Sequence, residues 1–133
     1  MDFQLSDEQT LIVDTVRNFL EKEIYPHEKM VEETAVVPKE LRVEITKKCK
    51  EIGFFAANFP SGLGGGGLSH LEFTLLEREL GRGSNALTVF FGRPSGILMA
   101  CNKLQKEKYL FPAIKGEKFD ALAMTEPGAG SDV

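Results

Sequence analysis

The sequence predicts an all-α fold, a helical bundle followed by one short β-strand, and three observations carry that prediction. Apolar residues recur at spacings of three and four through most of residues 6–114. Two capping boxes mark helix starts, and a period-two pattern appears at residues 119–125. At 133 residues the chain is long enough to bury a core of its own, which favours a single helical domain.

The first helix is predicted to begin at the capping box Ser6-Asp7-Glu8-Gln9, in which Ser6 and Gln9 satisfy each other's backbone N–H groups. Pro26 is predicted to end this helix, because proline lacks the N–H that would continue the hydrogen-bond ladder. Between the two lies one apolar stripe, which consists of Ile12, Val16, Phe19, Leu20 and Ile24.

A second helix is predicted from Pro38, at a first-turn position, to Gly53, just past the helix end. Its apolar stripe consists of Leu41, Ile45, Cys49 and Ile52. Residues 61–67 contain five glycines and are predicted to form a loop, since glycine makes a helix or strand costly. A flexible connector and a tight inter-helix turn both fit this loop.

Three further helical segments are predicted before residue 117. The capping box at Ser69 starts one, Gly81 ends it, and its buried face is predicted to be Leu71, Leu75, Leu76 and Leu80. Residues 84–101 are predicted to form a helix broken at 92–96, and residues 104–114 a short helix in which Pro112 causes a kink. Beyond Gly116, the pattern at 119–125 predicts a strand, for which the sequence offers no partner.

Composition and charge argue against several functions. The formal net charge of −4 gives no basic field for nucleic acid. The longest apolar run, residues 86–91, is too short to span a bilayer, and the N-terminus lacks a secretory signal, so a cytosolic or matrix-like protein is expected. Cys49 and Cys101 are predicted to be free buried thiols; no metal site is predicted and neither histidine is assigned chemistry.

The end of the chain is its most informative segment, because a turn sequence directly follows the predicted strand. Pro127 fixes one φ angle, while Gly128 and Gly130 free the backbone to converge its N–H groups as an anion nest. Thr125 and Ser131 add a hydroxyl at either end. Taken alone, Gly128–Ser131 also fits an ordinary Pro-Gly turn.

The full octapeptide at residues 125–132, T-E-P-G-A-G-S-D, resembles the first flavin-binding motif of the acyl-CoA dehydrogenase family. Further similar segments are LSDEQ at 5–9, EIG at 51–53, GGGGL at 64–68, ERELG at 77–81 and QKEKYLFP at 105–112. The resemblance implies that residues 1–116 are the N-terminal helical domain of such an enzyme and that residues 117–133 begin its middle β-domain.

The resemblance also implies an oxidoreductase of fatty-acid metabolism. The complete enzyme would convert an acyl-CoA thioester into the trans-2-enoyl-CoA, with a carboxylate base taking the α-proton and FAD taking the β-hydride. The base is expected beyond residue 133, so no catalytic residue is assigned here, and the chain alone is expected to bind FAD weakly and to be inactive. A cytoplasmic homo-oligomer, dimer or tetramer, is expected, with electron-transfer flavoprotein as electron acceptor and no membrane insertion.

The same resemblance implies that FAD is bound by one continuous run of residues: Leu122, Ala123, Met124, Thr125, Glu126, Pro127, Gly128, Ala129, Gly130 and Ser131. Thr125 would hydrogen-bond the pyrimidine side of the flavin, and Ser131 would contact both its phosphate region and the substrate. Glu126 and Asp132 are interpreted as turn residues rather than as an acid–base pair.

The resemblance further implies substrate contacts at Ser131, Phe90, Phe91 and Arg93, because residues 90–96 would lie along the acyl-chain pocket of such an enzyme. Arg93 either faces solvent or meets a polar or carboxylated acyl tail. Two other functions remain open at this point. A flavin oxidase or monooxygenase of the same superfamily would share this pattern, and a helical interaction module without catalytic function would carry the terminal turn incidentally.

Overall fold

The N-terminal helix of the computed structural model, which describes residues 4–131, is longer than predicted. Helix α1 (Asp7–Phe19) continues through a π-helical turn (Leu20–Ile24) into α2 (Tyr25–Thr34). The prediction that Pro26 ends the helix is therefore wrong. In the π turn the Tyr25 N–H donates to the Leu20 carbonyl, and Pro26 falls in the first turn of α2, where a missing N–H costs little.

The second predicted helix is confirmed as α3 (Lys39–Glu51), with Pro38 at its N-cap and Gly53 just past its end at φ +78°. The glycine-rich loop that follows is a tight turn rather than a flexible connector. It contains a 3₁₀ turn (Ser61–Leu63), and Gly66 and Leu68 donate their N–H groups back to Ala56 and Ala57. Glycine is required at Gly65, because a Cβ there would lie 2.3 Å from the Phe59 carbonyl oxygen.

Helix α4 (His70–Leu80) begins at the predicted capping box, in which the Ser69 hydroxyl accepts from the Glu72 N–H. Its buried face differs from the prediction at one position: the Leu71 side chain is 56% exposed, whereas Leu75, Leu76 and Leu80 are buried. Leu71 lies five positions, or about 140°, from Leu76 around the helix, so it points away from the buried face.

The helix predicted at residues 84–101 is broken, as predicted, whereas the helix predicted at residues 104–114 is continuous but changes type along its length. After α5 (Asn85–Thr88) come two 3₁₀ turns, Val89–Phe91 and Gly96–Ala100, and then α6 (Lys103–Gln105), a π turn (Lys106–Leu110) and α7 (Phe111–Ile114). A third capping box, Asn102 with Gln105, places the helix start one residue before the predicted one. Pro112 again follows a π turn, the same arrangement as at Pro26.

The strand predicted at residues 119–125 does not form. Within residues 4–131 the only β-pairing is an isolated bridge between Glu126 and Ala129, and residues 119–125 have no ladder partner. Alternation alone does not stabilise a strand, because its backbone hydrogen bonds and its apolar face both need a second element.

The core lies where α1 packs on α4 and where α3 packs on the turn Val89–Phe91. The apolar stripe predicted for α1 is buried throughout, and so are Leu41, Ile45 and Cys49 of α3. The largest fully buried apolar side chains of the whole core are Phe59, Phe91, Leu20, Ile24, Ile45, Leu76, Leu80, Leu87 and Leu110. The apolar faces of α1, α3 and α4 thus meet in one core, and the predicted cofactor segment, residues 122–131, lies outside it.

Candidate flavin and acyl site

The predicted cofactor segment, residues 122–131, lies open to solvent. All of its residues are exposed except Ala129, which is partly buried. Glu126 and Ala129 close a turn with two backbone hydrogen bonds of 2.8 and 3.2 Å. Gly128 and Gly130 do not adopt a positive φ, but the segment does form a turn, a second backbone geometry that can bind an anion, so the anion nest stays a prediction.

Apart from the exposed carboxylate of Glu126, this segment offers uncharged hydrogen-bonding groups. Its turn uses the N–H groups of Glu126 and Ala129 internally, which leaves those of Gly128 and Gly130 with no acceptor among the described residues. A Cβ at either glycine would meet nothing within 4 Å, so the backbone is accessible to a ligand. The exposed hydroxyls of Thr125 and Ser131 add donors at each end. Asp132 lies outside the described residues.

Within the predicted acyl-side segment, residues 90–96, the loop 92–95, here called the acyl-side loop, is held in a defined conformation. Gly92 has φ +66°, and a Cβ there would lie 2.1 Å from the Phe55 ring, so only glycine fits. The Gly92 carbonyl accepts from the Ala56 N–H at 2.9 Å, and the Pro94 carbonyl accepts from the Asn58 side-chain amide at 2.9 Å. The loop is thus positioned by the segment that follows α3.

Arg93, which lies in this loop, forms an ion pair with Glu77. Its Nε donates to a carboxylate oxygen of Glu77 on α4 at 2.5 Å, and both side chains are partly buried. The charge of Arg93 is therefore balanced within the protein, an arrangement that neither of the two sequence-based interpretations, solvent or acyl tail, included.

The two predicted aromatic contacts have different environments. The Phe91 ring is 1% exposed and packs edge-to-face on Phe19, with ring centroids 4.8 Å apart. Phe91 is thus a core residue, and its burial does not support a direct substrate contact. Phe90 is partly buried and lines an open groove of about 640 Å³ together with Val43 and Phe119.

The loop is hydrogen-bonded to Asp120, two residues before the cofactor segment: the Ser95 N–H donates to the Asp120 carboxylate at 3.2 Å. Phe119 and Asp120 also line a cavity of about 110 Å³ with Gly92, Arg93 and Pro94. Sequence reasoning did not identify Asp120, because nothing in the local pattern links it to a residue 25 positions earlier.

Sequence reasoning also missed Glu79, the only charged side chain that is fully buried in the described part of the chain. Its carboxylate is contacted by Arg17 of α1 at 2.8 Å and by Arg78 and Arg82 at 2.7 and 2.6 Å. The hydrogen bond from Arg17, with the other arginines, lowers the pKa of Glu79 to about 2 even though burial opposes this. Glu79 therefore joins α1 to α4 as a carboxylate.

The two cysteines differ. Cys49 is buried, as predicted, and its thiol donates to the Phe91 carbonyl at 3.6 Å; burial raises the pKa of this thiol to about 12. Cys101 is free but only partly buried and lies outside a helix, contrary to the prediction. Across residues 4–131, no helix combines the length and apolar character that crossing a bilayer requires.

Comparisons with known proteins agree on one family. The sequence profile for "Acyl-CoA dehydrogenase, N-terminal domain" matches residues 6–117. The acyl-CoA dehydrogenase of Geobacillus kaustophilus, a solved crystal structure, superposes with a TM-score of 0.76 at 29% identity over 99% of this chain and 35% of that one.

Curated relatives match at similar levels. The 3-(aryl)acrylate reductase of Clostridium sporogenes is 38% identical over 96% of this chain and 34% of its own length. The benzylmalonyl-CoA dehydrogenase of Aromatoleum aromaticum is 37% identical over 100% and 36%, and the caffeyl-CoA reductase-Etf complex subunit CarC of Acetobacterium woodii is 36% identical over 96% and 34%. The chain thus spans about a third of the length of these relatives.

The helical architecture, the profile match over most of the chain and the structural superposition all point the same way: this chain belongs to the acyl-CoA dehydrogenase family, and its helices are those of the family's N-terminal domain.

Proposed function

We propose that this chain is the N-terminal part of an FAD-dependent enzyme that transfers hydrogen at the α–β bond of an acyl-CoA thioester. The profile match over residues 6–117 carries the proposal, and the motif at residues 125–132 supports it because it lies shortly after the matched domain. FAD would supply the redox chemistry of that reaction. The residues of this chain would hold and orient cofactor and acyl group, while the base lies elsewhere in the enzyme.

The cofactor segment fits a flavin by its donor set. A flavin presents carbonyl and ring-nitrogen acceptors on its pyrimidine edge and phosphate oxygens on its tail, and residues 122–131 offer peptide N–H groups and two hydroxyls as donors. We propose that Thr125 donates to the pyrimidine edge and that Ser131 donates to the phosphate region and the substrate. Gly128 and Gly130 would allow the backbone to approach closely.

For the acyl group, we propose that Phe90 provides an apolar wall and that Arg93 acts mainly by holding the loop. Phe90 keeps an accessible face in its groove, whereas Phe91 is enclosed by the core. Because Glu77 already balances Arg93, a carboxylated acyl tail would gain little from it. Aryl groups appear in the names of all three relatives above, so aryl-substituted thioesters are the first substrates to test.

The direction of the reaction has two candidates. Dehydrogenation of the saturated thioester is the first, and reduction of the unsaturated one is the second, which the reductase names of two relatives favour. The name of the Acetobacterium relative includes an Etf complex, which supports electron-transfer flavoprotein as the redox partner. We further propose, from the family resemblance, a cytoplasmic homo-oligomer.

The experiment compares two variants of the complete enzyme, Ser131→Ala and Glu126→Gln, with flavin content and steady-state rates measured separately. Loss of a hydrogen bond to a charged group costs about 1.5–3 kcal/mol, so Ser131→Ala should weaken cofactor or substrate binding by about ten- to a hundredfold. Glu126→Gln keeps the turn and should change turnover little. If Glu126→Gln abolishes turnover at full flavin content while Ser131→Ala is silent, the motif carries the base and these roles are wrong.

The 133-residue chain alone provides a second test. Only one wall of a flavin site is present on it, and ordering an exposed segment costs about 1–2 kcal/mol per residue, so it should bind FAD weakly and should not oxidise acyl-CoA with a dye acceptor. A purified chain that carries stoichiometric flavin, or that oxidises acyl-CoA, would contradict the proposal that this chain supplies only part of the flavin site and lacks the base.

A further inference from the structure

Asp120 is the last point at which the helical body holds the segment that leads to the flavin motif. Lys118, two residues earlier, donates from its ammonium group to the Lys108 carbonyl at 2.9 Å, and Asp120 accepts from the Ser95 N–H at 3.2 Å. After Asp120, in the described part of the chain, the next hydrogen bonds are those inside the turn Glu126–Ala129. The path of residues 121–125 is therefore set at its start by these two contacts.

The other end of the Asp120 contact lies in the acyl-side loop. Ser95 directly follows Pro94, whose carbonyl is fixed by Asn58, and lies two residues beyond Arg93, which is fixed by Glu77. Ser95 is also the N-cap of the 3₁₀ turn Gly96–Ala100. The Ser95 amide that donates to Asp120 thus belongs to a loop that several other contacts hold in place. We therefore take the loop as the fixed side of this contact and residues 121–131 as the segment that it positions.

We propose that Asp120 is a positioning residue, which sets the distance and register between the acyl-side loop and the flavin-binding segment through its bond to the Ser95 N–H. This inference rests on the proposed function for the roles of the two segments. Hydrogen transfer between an acyl chain and a flavin needs near-contact alignment, and a small misplacement lowers the rate without removing either ligand. The carboxylate acts through the segment it holds and does not touch reacting atoms.

The contact itself is tested on the 133-residue chain by amide hydrogen exchange at Ser95. An exposed hydrogen bond contributes about 0.5–1.5 kcal/mol, so Asp120→Ala should speed exchange of the Ser95 amide by about three- to tenfold. Asp120→Asn keeps an oxygen acceptor and should stay within about twofold of the wild type. Glu117→Ala removes an exposed carboxylate from the same segment and should leave Ser95 unchanged. An unchanged Ser95 rate in Asp120→Ala overturns the proposal.

The consequence is tested on the complete enzyme with the same three variants. Asp120→Ala should lower kcat by about tenfold at unchanged flavin content, with KM within about twofold, and Asp120→Asn should restore most of the rate. A purely structural role would instead lower flavin content or thermal stability, and that result, or an unchanged kcat, rejects the positioning role. If wild-type enzyme shows no activity on any acyl thioester while Ser95 exchange responds as expected, the proposed function fails and the contact stands.

Discussion

The helical body, residues 7–114, and the terminal segment, residues 117–131, are held by different means. The body buries an apolar core that α1, α3 and α4 share, whereas the terminal segment is exposed except at Ala129. Phe119 and Leu122 in that segment are 73% and 84% exposed. The body therefore specifies its own structure through burial, whereas within the described residues the terminal segment is held by a few hydrogen bonds.

The largest expected difference between the two regions is in core substitutions. Phe91→Ala should lower the free energy of unfolding by about 3–5 kcal/mol, because it removes a fully buried ring and its edge-to-face contact with Phe19. Leu122→Ala removes an exposed side chain and should change it by less than about 0.5 kcal/mol. Urea denaturation of both variants checks this, and similar losses for the two would mean that the terminal segment is packed as well as the core.

The next largest effect is expected at the ion pair between Arg17 of α1 and the buried Glu79 of α4. Glu79→Gln should lower the free energy of unfolding by about 2 kcal/mol at pH 7, because the charge-assisted bonds to three arginines are lost while those arginines stay in contact with solvent.

This loss should depend on pH in a defined direction. The folded pKa of Glu79, about 2, lies below the ordinary value of 4.5, so its stabilisation is fully present above pH 4.5 and declines as the pH falls towards 2. Denaturant unfolding at pH 7, 5 and 3 should show the gap between wild type and Glu79→Gln narrowing at pH 3. A gap of constant size would indicate a packing effect of the substitution instead of a titrating carboxylate.

A smaller effect is expected at the helix starts. Ser69→Ala removes the oxygen that accepts from the Glu72 N–H and should cost about 1 kcal/mol of unfolding free energy. Ser69→Asp, which keeps an acceptor, should recover most of it. In the exposed terminal segment Ser131→Ala should leave the stability of the chain unchanged, and a loss there as large as at Ser69 would show that Ser131 caps a structural element.

How much of the structure the sequence predicts also differs between the helical body and the terminal segment. Capping boxes and glycine stops are local signals: the predicted boxes mark the starts of α1 and α4, and the predicted glycines follow the ends of α3 and α4. The prediction that Pro26 ends the helix failed because a π turn, which has no distinct sequence signature, places the missing N–H of the proline in the first turn of α2. Glu79 was missed because its partner Arg17 is 62 positions away, and long-range polar pairing leaves no periodic pattern.

The terminal segment was predicted least well for a related reason. Alternation at residues 119–125 indicated a strand, but pairing is a property of two segments and only one is present among the described residues. The family motif at residues 125–132 was readable because eight adjacent residues carry it. Its attachment to the body at Asp120 was not, since a single side chain contacting a distant amide is visible only in three dimensions.

Residue-resolved amide hydrogen exchange of the 133-residue chain tests the difference between the two regions most directly. Amides of α1 and α4 should be the slowest to exchange, since they open only with the core. Those of residues 121–125, and of Gly128 and Gly130, should exchange within about tenfold of an unstructured peptide, because they donate to no acceptor among the described residues. Protection of residues 121–131 equal to that of α4, or an unprotected α4, would contradict the conclusion that the helical body is self-sufficient and the flavin-motif segment is not.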